Sequence, residues 1–213
     1  MNEELLRFKK NQKYLIFDYE TCNLNLNHYS NKPWQLGFII AKGSKVINKY
    51  DFYLSWDDLK MSKEAERITQ FSKSKYDKLK QDSKKCLNEF EKYLYDEEYL
   101  IVGHNILGFD VYMHNIHRAL LGLKSDYSYI NRILDTNCLA RGIKNDIAFS
   151  KNDSIISYQY KLHHLRTRGI KTNLKQLCKD YSLEFDDKKL HEALYDVEKT
   201  FEVLNKILWQ LEI

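Results

Sequence analysis

Two carboxylates lie close together on one short apolar segment near the start of the chain. Asp18 and Glu20 follow residues 14–17, a run of aromatic and branched apolar residues that predicts a buried strand. Side chains of a strand alternate between its two faces, so both acids should emerge on the same side. At an effective dielectric constant of roughly 20 they would repel by about 4 kcal/mol, which favours a proton or a cation between them. The alternative, equally open from this segment, is that the strand has ended and both acids are solvated in a loop.

Two further acids and one histidine are placed where they could join this pair. Asp110 begins a predicted helix and would point towards the end of the predicted strand at residues 99–102. Asp196 lies in the first turn of the last predicted helix, on the flank of its buried face, and His191 stands just before that helix. Taken singly, Asp110 could be a helix N-cap, Asp196 could only complement the helix dipole, and His191 could be a surface residue. Their joint arrangement favours a shared site.

The five residues belong to three short motifs that follow one another along the chain. They are D-x-E at residues 18–20, N-x-x-x-F-D at residues 105–110 and H-x-A-x-x-D at residues 191–196. In this order the motifs resemble the DEDDh group of 3′→5′ exonucleases, which includes polymerase proofreading subunits, RNase T and oligoribonuclease. The resemblance spans residues 14–208, nearly the whole chain.

The likeness also extends between the motifs. Four segments are similar to family landmarks: the predicted strand that contains Gln35, residues 68–69, residues 135–141 with the sequences D-T and L-A-R, and residues 173–183. The resemblance implies an α/β fold of the ribonuclease-H-like type, a mixed sheet flanked by helices.

Hydrophobic periodicity predicts the elements that must position these residues. The predicted strands cover residues 14–17, 34–41, 46–54 and 99–102, and the predicted helices cover residues 62–70, 83–95, 109–120, 174–181 and 194–211, with a turn or helix at 135–141. We expect a single exonuclease domain over residues 1–213. It would begin with a short helix or frayed arm at residues 1–12 and carry a basic inserted segment at about residues 142–172.

The resemblance further implies a reaction that uses two divalent cations. Asp18 would bridge the ions, Glu20 and Asp196 would complete one site, and Asp110 would support the other. Mg²⁺ or Mn²⁺ is expected because the ligands are all oxygens. His191, whose ordinary pKa is about 6.5, would be the general base for the attacking water. The products would be nucleoside 5′-monophosphates released from single-stranded 3′ ends, with DNA slightly favoured over RNA.

Contacts with the terminal nucleotide are expected next to the first motif. By resemblance, Thr21, Cys22 and Leu24 would hold the 3′-terminal nucleotide, and Leu24 could press on its base or belong to the core. Here the sequence reads Thr-Cys-Asn-Leu, whereas the family usually has Thr-Gly followed by Leu or Phe. Asn105 and Phe109 could border the path of the strand, or could simply cap and pack the helix.

Positive charge is concentrated in one segment. Residues 141–171 contain seven Lys or Arg and two Asp, whereas the whole chain has a net charge of only +4. Such a segment suits an anionic partner such as a nucleic-acid backbone, although a solvated loop would look the same. We expect a flexible flap over the strand, with Lys161, Arg166, Arg168 and Lys171 as its backbone contacts.

Composition excludes several other classes of protein. A hydrophobic fraction of 43% with 14% aromatic residues indicates a folded chain. No apolar run approaches membrane-spanning length, and the first ten residues are too charged for a secretory signal. The four cysteines are scattered, so neither a zinc site nor a disulfide framework is indicated, and we expect a reduced, cytoplasmic setting.

The remaining alternatives concern activity and partners. The same fold could serve as a catalytically silent nucleic-acid-binding module, which typically lacks one or more of the acids, or as a hydrolase of small oligoribonucleotides. A structural protein whose acids are only helix caps is a third alternative. A polymerase or a second copy of the chain is a possible partner.

Overall fold

The computed structural model describes residues 4–26, 30–150 and 152–213, and its strands form one mixed sheet. The strands are β1 (Lys13–Thr21), β2 (Pro33–Lys42), β3 (Lys45–Ser55), β4 (Lys80–Asp82), β5 (Tyr99–Gly103) and β6 (Ile133–Asp135), arranged in the order β4-β3-β2-β1-β5-β6. β1, β2 and β3 pair antiparallel, while β5 pairs parallel with β1 and β6 parallel with β5. The central position of β1 brings its carboxyl end to the middle of one edge of the sheet.

Eight α-helices cover the sheet. They are α1 (Lys63–Thr69), α2 (Lys73–Leu79), α3 (Ser83–Leu94), α4 (Asp110–Leu120), α5 (Thr136–Lys144), α6 (Ile155–His163), α7 (Leu174–Asp180) and α8 (Ala193–Ile207) within the described ranges. Tyr14 of β1 packs against Phe201 of α8, whereas Phe17 packs against Phe90 of α3. Because strand residues alternate in direction, α8 and α3 therefore lie on opposite faces of the sheet. The expected mixed sheet flanked by helices is confirmed.

β1 is longer than its apolar residues predict. The strand continues through Thr21, so Asp18 and Glu20 lie inside it, paired with Gly37 and Gln35 of β2. Main-chain pairing to β2 extends the strand past the point where the apolar pattern ends. This decides between the two interpretations of the first motif, since neither acid is in a loop.

Three short elements were not predicted. β4 is fully exposed, β6 has three residues, and α2 buries only Tyr76. None of them carries a periodic apolar stripe, which is the signal that sequence periodicity relies on. The predicted elements, in contrast, all occur within a few residues of their expected ends, and residues 135–141 divide into the end of β6 and most of α5.

The basic segment is packed on the body of the protein, and the expectation of a flexible flap is wrong for its central part. α6 buries Tyr158, Gln159 and Leu162. The Gln159 side chain donates to the carbonyl of Ile133 at 2.9 Å and accepts from the N–H of Asp135 at 2.5 Å. A polar residue that completes the hydrogen bonds of an edge strand interrupts the apolar pattern, so no helical periodicity is visible in the sequence. Lys151, which contributes to the segment's charge, lies outside the described residues.

The N-terminal arm is also docked from residue 4 onwards. Leu5 is buried, residues 6–8 form a 3₁₀ turn, and the N–H of Leu6 donates to the carbonyl of Ile213 at 2.8 Å. The predicted arm over residues 1–12 is therefore not frayed in this part, and residues 1–3 lie outside the described chain. No helix in the described chain is long and apolar enough to cross a membrane.

Candidate active site

Asp18 and Glu20 lie on one face of β1 at the edge of a cleft. Tyr19, between them, points to the other face, where its hydroxyl lies 3.2 Å from Nδ1 of His117. The pairing of β1 with β2 shifts register between Glu20 and Thr21. Such bulges occur next to active sites, where they re-aim side chains at the end of a strand. The alternation predicted from sequence is the direct cause of this pairing of carboxylates.

Asp110 reaches the same place from the start of α4. Its side chain accepts a hydrogen bond from the main-chain N–H of Tyr19 at 2.9 Å, and it is 1% exposed. It does not act as the N-cap of α4, because Phe109 occupies that position. The bond to β1 thus fixes a third carboxylate beside the first two.

The fourth acid and the histidine come from the start of α8. The main-chain N–H of His191 donates to one oxygen of Asp196 at 3.1 Å, while the other oxygen of Asp196 is buried without a hydrogen-bond partner among the described residues. His191 has a φ of 71°, in the left-handed region that residues other than glycine seldom adopt, although histidine adopts it more often than most. A left-handed residue held by its own downstream carboxylate is typical of strained functional loops.

Gly37 lets α8 approach the sheet closely enough to deliver these two residues. A Cβ at Gly37 would lie 2.4 Å from the main-chain nitrogen of Leu194 and 2.5 Å from the carbonyl carbon of Ala193. Gly37 is also the β2 residue paired with Asp18. The first turn of α8 therefore rests on the sheet directly opposite the first carboxylate.

Burial raises the pKa of all four acids. For Asp18, desolvation is reinforced by the charges of Asp110, Glu20 and Asp196, and its pKa lies well above the ordinary value. The pKa of Glu20 is also well above its ordinary value, because of desolvation and then of the charges of Asp196 and Asp110. Desolvation raises the pKa of Asp110 to about 8, against the opposing hydrogen bond from Tyr19, and that of Asp196 to about 7. As negative charge accumulates, each carboxyl therefore favours its protonated form unless a cation is present.

Three of these residues already form a group that could hold a metal ion. One ligand atom each from Glu20, His191 and Asp196 lies within 4.8 Å of the others. Within the described ranges, no Lys or Arg forms an ion pair with Asp18, Glu20, Asp110 or Asp196. Desolvation lowers the pKa of His191, which keeps the imidazole neutral and able to accept a proton. The charge of the acids is therefore left for an external cation to balance.

The cleft around these groups is large enough for a nucleotide, with a volume of about 730 Å³. Of the predicted substrate contacts, Thr21, Leu24, Asn105 and Phe109 line it. Leu24 is 71% exposed, which excludes the alternative that it is a core residue. An exposed leucine in the lining of the cleft suits contact with an apolar face such as a nucleobase.

Five other predicted contacts do not line the cleft. Cys22 is 1% exposed, and its thiol donates to the carbonyl of Ser30 at 3.1 Å. Lys161 pairs with Asp153, and Arg166 donates to the carbonyls of His163 and Leu165. The remaining two, Arg168 and Lys171, also lie away from the cleft lining.

The cleft contains residues that sequence reasoning missed. They include His104, Asn173, Lys175, Ser62 at the N-cap of α1, and the α1 residues Glu64, Ala65, Ile68 and Thr69. Lys175 is the one cationic side chain among the lining residues that the structure describes, and it pairs with Asp187 at 2.7 Å. The position of His104 directly before Asn105 in the second motif was the available signal. No comparable signal marks Lys175, because only the packing of α7 beside α8 brings it to the cleft.

One hydrogen bond joins the two walls of the cleft. The side-chain amide of Gln70, the residue that ends α1, donates to the carbonyl of Lys188 at 2.7 Å. Lys188 precedes His191 by three residues in the segment before α8. The wall formed by α1 and the segment that carries the histidine are thereby connected.

Comparison with known protein families gives one finding for this architecture. The RNase T model, described as Exonuclease, matches residues 15–204, which include all five residues of the site. A comparison with curated proteins finds no match.

Solved structures of exonuclease I share the fold. The complex of the E. coli enzyme with a dA16 oligonucleotide matches with a TM-score of 0.72 and 18% identity, covering 93% of this chain and 41% of that one. The zinc-bound E. coli complex with single-stranded DNA matches with a TM-score of 0.71 and 17% identity, covering 92% of this chain and 40% of that one. A product-bound exonuclease I matches with a TM-score of 0.69 and 18% identity, covering 93% of this chain and 43% of that one. The chain thus spans about two fifths of the length of these enzymes, and the expected ribonuclease-H-like fold is confirmed.

Proposed function

The chain belongs to the exonuclease family whose model spans residues 15–204, and from this premise we propose that it removes nucleoside 5′-monophosphates from the 3′ ends of single-stranded nucleic acid. The observation that carries the proposal is the convergence of four buried or half-buried carboxylates with His191 in one cleft. The one described cationic side chain in its lining, Lys175, pairs with Asp187 instead. A structural cluster would neutralise its charges internally, whereas this one requires a ligand.

The donor set fits divalent metal ions. Hard cations such as Mg²⁺ and Mn²⁺ prefer carboxylate oxygens, and one buried oxygen of Asp196 has no other partner in the described structure. Two such ions would supply positive charge to the attacking and leaving oxygens of an in-line displacement. Asp18 is the natural ligand to share between them, because the charges of all three other acids act on it.

The remaining acids divide by their positions. We assign Glu20 and Asp196 to one cation, since they already lie together with His191. Asp110 would support the other cation, held in place by the N–H of Tyr19. The protein thus orients its oxygens before any ion or substrate binds.

His191 would accept the proton of the attacking water. Desolvation lowers the pKa of His191 and so favours its neutral form. The main-chain N–H of His191 donates to Asp196, which places the residue beside the acids. A base of this kind needs a pKa near the working pH and reach to the proton that it removes.

The substrate end would lie between the two walls of the cleft. Leu24 would press on the terminal base, with Thr21 beside it and Asn105 and Phe109 along the strand. Cys22 would act only by shaping the loop, since its thiol is buried. Support for DNA over RNA comes from the fold shared with exonuclease I, whose structures hold DNA oligonucleotides; a hydrolase of small oligoribonucleotides is the alternative.

The basic residues outside the cleft would contact the backbone of a longer strand. We propose that replacing Lys161, Arg166, Arg168 and Lys171 by Ala weakens binding and flattens its dependence on salt, because the variant would neutralise fewer phosphates and so release fewer counterions. Binding would be measured at several salt concentrations. An unchanged slope would contradict this role.

The proposed activity is tested by digestion of 3′- and 5′-labelled single-stranded DNA and RNA with Mg²⁺ or Mn²⁺. We expect a 3′→5′ ladder that EDTA abolishes. Asp196→Ala should lack activity, while Asp77→Ala, which removes an exposed acid of α2, should retain it. Cleavage of neither polymer, together with metal-independent binding, would instead identify a silent binding module.

A further inference from the structure

Two exposed tyrosines lie on helices next to the cleft, and the proposed reaction uses neither of their side chains. Tyr112 of α4 is 42% exposed and Tyr160 of α6 is 47% exposed. Tyr112 follows Asp110 by two residues, and Phe109, immediately before α4, lines the cleft. Single exposed tyrosines are common on protein surfaces, so what matters is where these two rings lie relative to the cleft.

α6 reaches the rim of the cleft at Gly108. A Cβ at this glycine would lie 2.7 Å from Nε2 of His163, the last residue of α6, and 2.8 Å from Oδ1 of Asn105. Asn105 lines the cleft, so the absence of a side chain at Gly108 brings the end of α6 against the cleft wall. Tyr160 is one helical turn before His163 and is therefore close to that wall.

The two tyrosines lie on helices that meet at Gly108. α6 ends against this glycine at His163, and α4 begins two residues after it. Phe109 lines the cleft, and the two tyrosines are exposed on the helices beside it.

A positively charged hollow lies beyond α6. It has a volume of about 220 Å³, and its described lining contains Arg141, Arg166 and Arg168 but no carboxylate. Arg141 and Arg166 both donate to the carbonyl of His163, which joins the hollow to the end of α6. Guanidinium groups in such a setting suit phosphate groups.

We propose that Tyr112 and Tyr160 form a stacking surface for the unpaired bases of the strand whose 3′ end lies in the cleft. This inference rests on the proposed function. Aromatic rings that bind successive bases, next to cations that follow the backbone, are the usual means of holding single strands without sequence preference. The surface would engage only substrates long enough to leave the cleft, with the arginine-lined hollow receiving the phosphates beyond it.

The test compares a thymidine trinucleotide with a thymidine dodecanucleotide. In the native protein kcat/KM should be higher for the longer substrate. In the double variant Tyr112→Ala, Tyr160→Ala we expect kcat/KM for the longer substrate to fall by roughly 10- to 100-fold, the range expected for losing one or two stacked bases. Hydrolysis of the trinucleotide should stay within about twofold, which also shows that the variant is folded.

Two controls separate stacking from other roles. The double variant Tyr112→Phe, Tyr160→Phe should retain the preference for length, because the rings remain. Tyr127→Ala removes a tyrosine of similar exposure, 45%, located after the other end of α4, and should leave the preference unchanged.

The outcomes distinguish this inference from the proposed function. If the native protein cleaves both substrates but the Ala variant keeps the full preference for length, the stacking surface is wrong and the exonuclease proposal stands. An equal loss in Tyr127→Ala would also overturn the surface. If the native protein cleaves neither substrate, the proposed function itself fails.

Discussion

Two polar clusters attached to β1 and α4 handle charge in opposite ways. The acid cluster, Asp18, Glu20, Asp110 and Asp196, lies at the cleft on one face of β1. On the face that Tyr19 occupies, the Glu91 cluster consists of Glu91, His114, Arg118 and Tyr129. Both clusters are largely removed from water.

The Glu91 cluster satisfies its own charges. Glu91 accepts from Arg118 at 2.5 Å and lies 2.9 Å from Nε2 of His114, whose other nitrogen lies 3.1 Å from the hydroxyl of Tyr129. Burial opposes ionisation of Glu91, but the hydrogen bonds from His114 and Arg118 outweigh it, and the net pKa is lowered. The carboxylate is therefore stable in the folded protein without any ligand.

The acid cluster lacks such partners within the described structure, and the pKa of each of its members is raised. We infer from this difference that the Glu91 cluster is structural, because its hydrogen bonds are complete, and that the acid cluster would gain from a ligand. Each experiment below alters one cluster and leaves the other as its reference.

The largest expected effect is on activity, from Asp110→Asn. The amide oxygen can still accept from the N–H of Tyr19, so the geometry is kept while one negative charge is lost. We expect kcat to fall by roughly 10³-fold, corresponding to several kcal/mol of charge stabilisation. In EDTA at pH 8 the variant should be more stable than the native protein, as measured by thermal unfolding. Retained activity would remove Asp110 from the site.

Glu91→Ala should have the opposite profile. It leaves Arg118 and His114 without their carboxylate, and we expect the free energy of unfolding to fall by about 3 kcal/mol. The activity per folded molecule should change by less than about twofold. Glu89→Ala, on the same helix with an exposed Lys92 partner, is the matched control and should cost less than about 0.5 kcal/mol. Urea unfolding measures the free energy of unfolding of the two variants. An equal loss in Glu91→Ala and Glu89→Ala would contradict the structural role of the Glu91 cluster.

Gly37→Ala tests whether the acid cluster depends on the close approach of α8. The new Cβ would meet main-chain atoms of Ala193 and Leu194, which cannot rotate away, so the first turn of α8 must shift. We expect the free energy of unfolding to fall by about 2 kcal/mol. Metal affinity, measured by calorimetry, should fall by about 30-fold, which corresponds to the same free energy. Gly122→Ala is the control: its Cβ meets nothing within 4 Å among described atoms, and its φ of +74° affects only stability. Unchanged metal affinity in Gly37→Ala would show that α8 tolerates the shift.

The smallest effect per step is the pH dependence of stability without metal. The folded pKa values of Asp110 and Asp196 are raised to about 8 and about 7, above those of the unfolded chain. The folded state therefore binds extra protons between about pH 4 and pH 8, and stability in EDTA should fall as pH rises, by about 1.4 kcal/mol per pH unit for each proton.

The Glu91 cluster supplies the internal reference. The lowered pKa of Glu91 gives a contribution that is present at neutral pH and is lost only as pH falls below about 4.5. The buried histidines have lowered pKa values and add a slope of opposite sign only below about pH 6.5, where they bind protons in the unfolded chain. Thermal unfolding from pH 7 to pH 8 should thus show the slope of the acid cluster, and Mg²⁺ should reduce it by neutralising the carboxylates. A flat profile in EDTA would mean that these acids are solvated.

Most of the acid cluster was predictable because its signals are local. The alternation of a strand places Asp18 and Glu20 on one face, and the order of the three motifs points to Asp110, His191 and Asp196. The Glu91 cluster was not predicted, since its members are ordinary helix and loop residues whose partners lie 15 to 27 positions away. Without a motif, contacts at such separation leave no periodic trace in the sequence.

The sequence by itself determined the layered α/β class and the order of the major elements, and it pointed to the five residues that the fold brings together in one cleft. Only the tertiary structure decided that β1 runs on to Thr21, that Asp110 bonds to the main chain of β1, and that α6 is packed at the rim of the cleft. The reason is that periodicity reports which face of an element is buried, whereas these three features depend on hydrogen bonds and close approaches between elements distant along the chain.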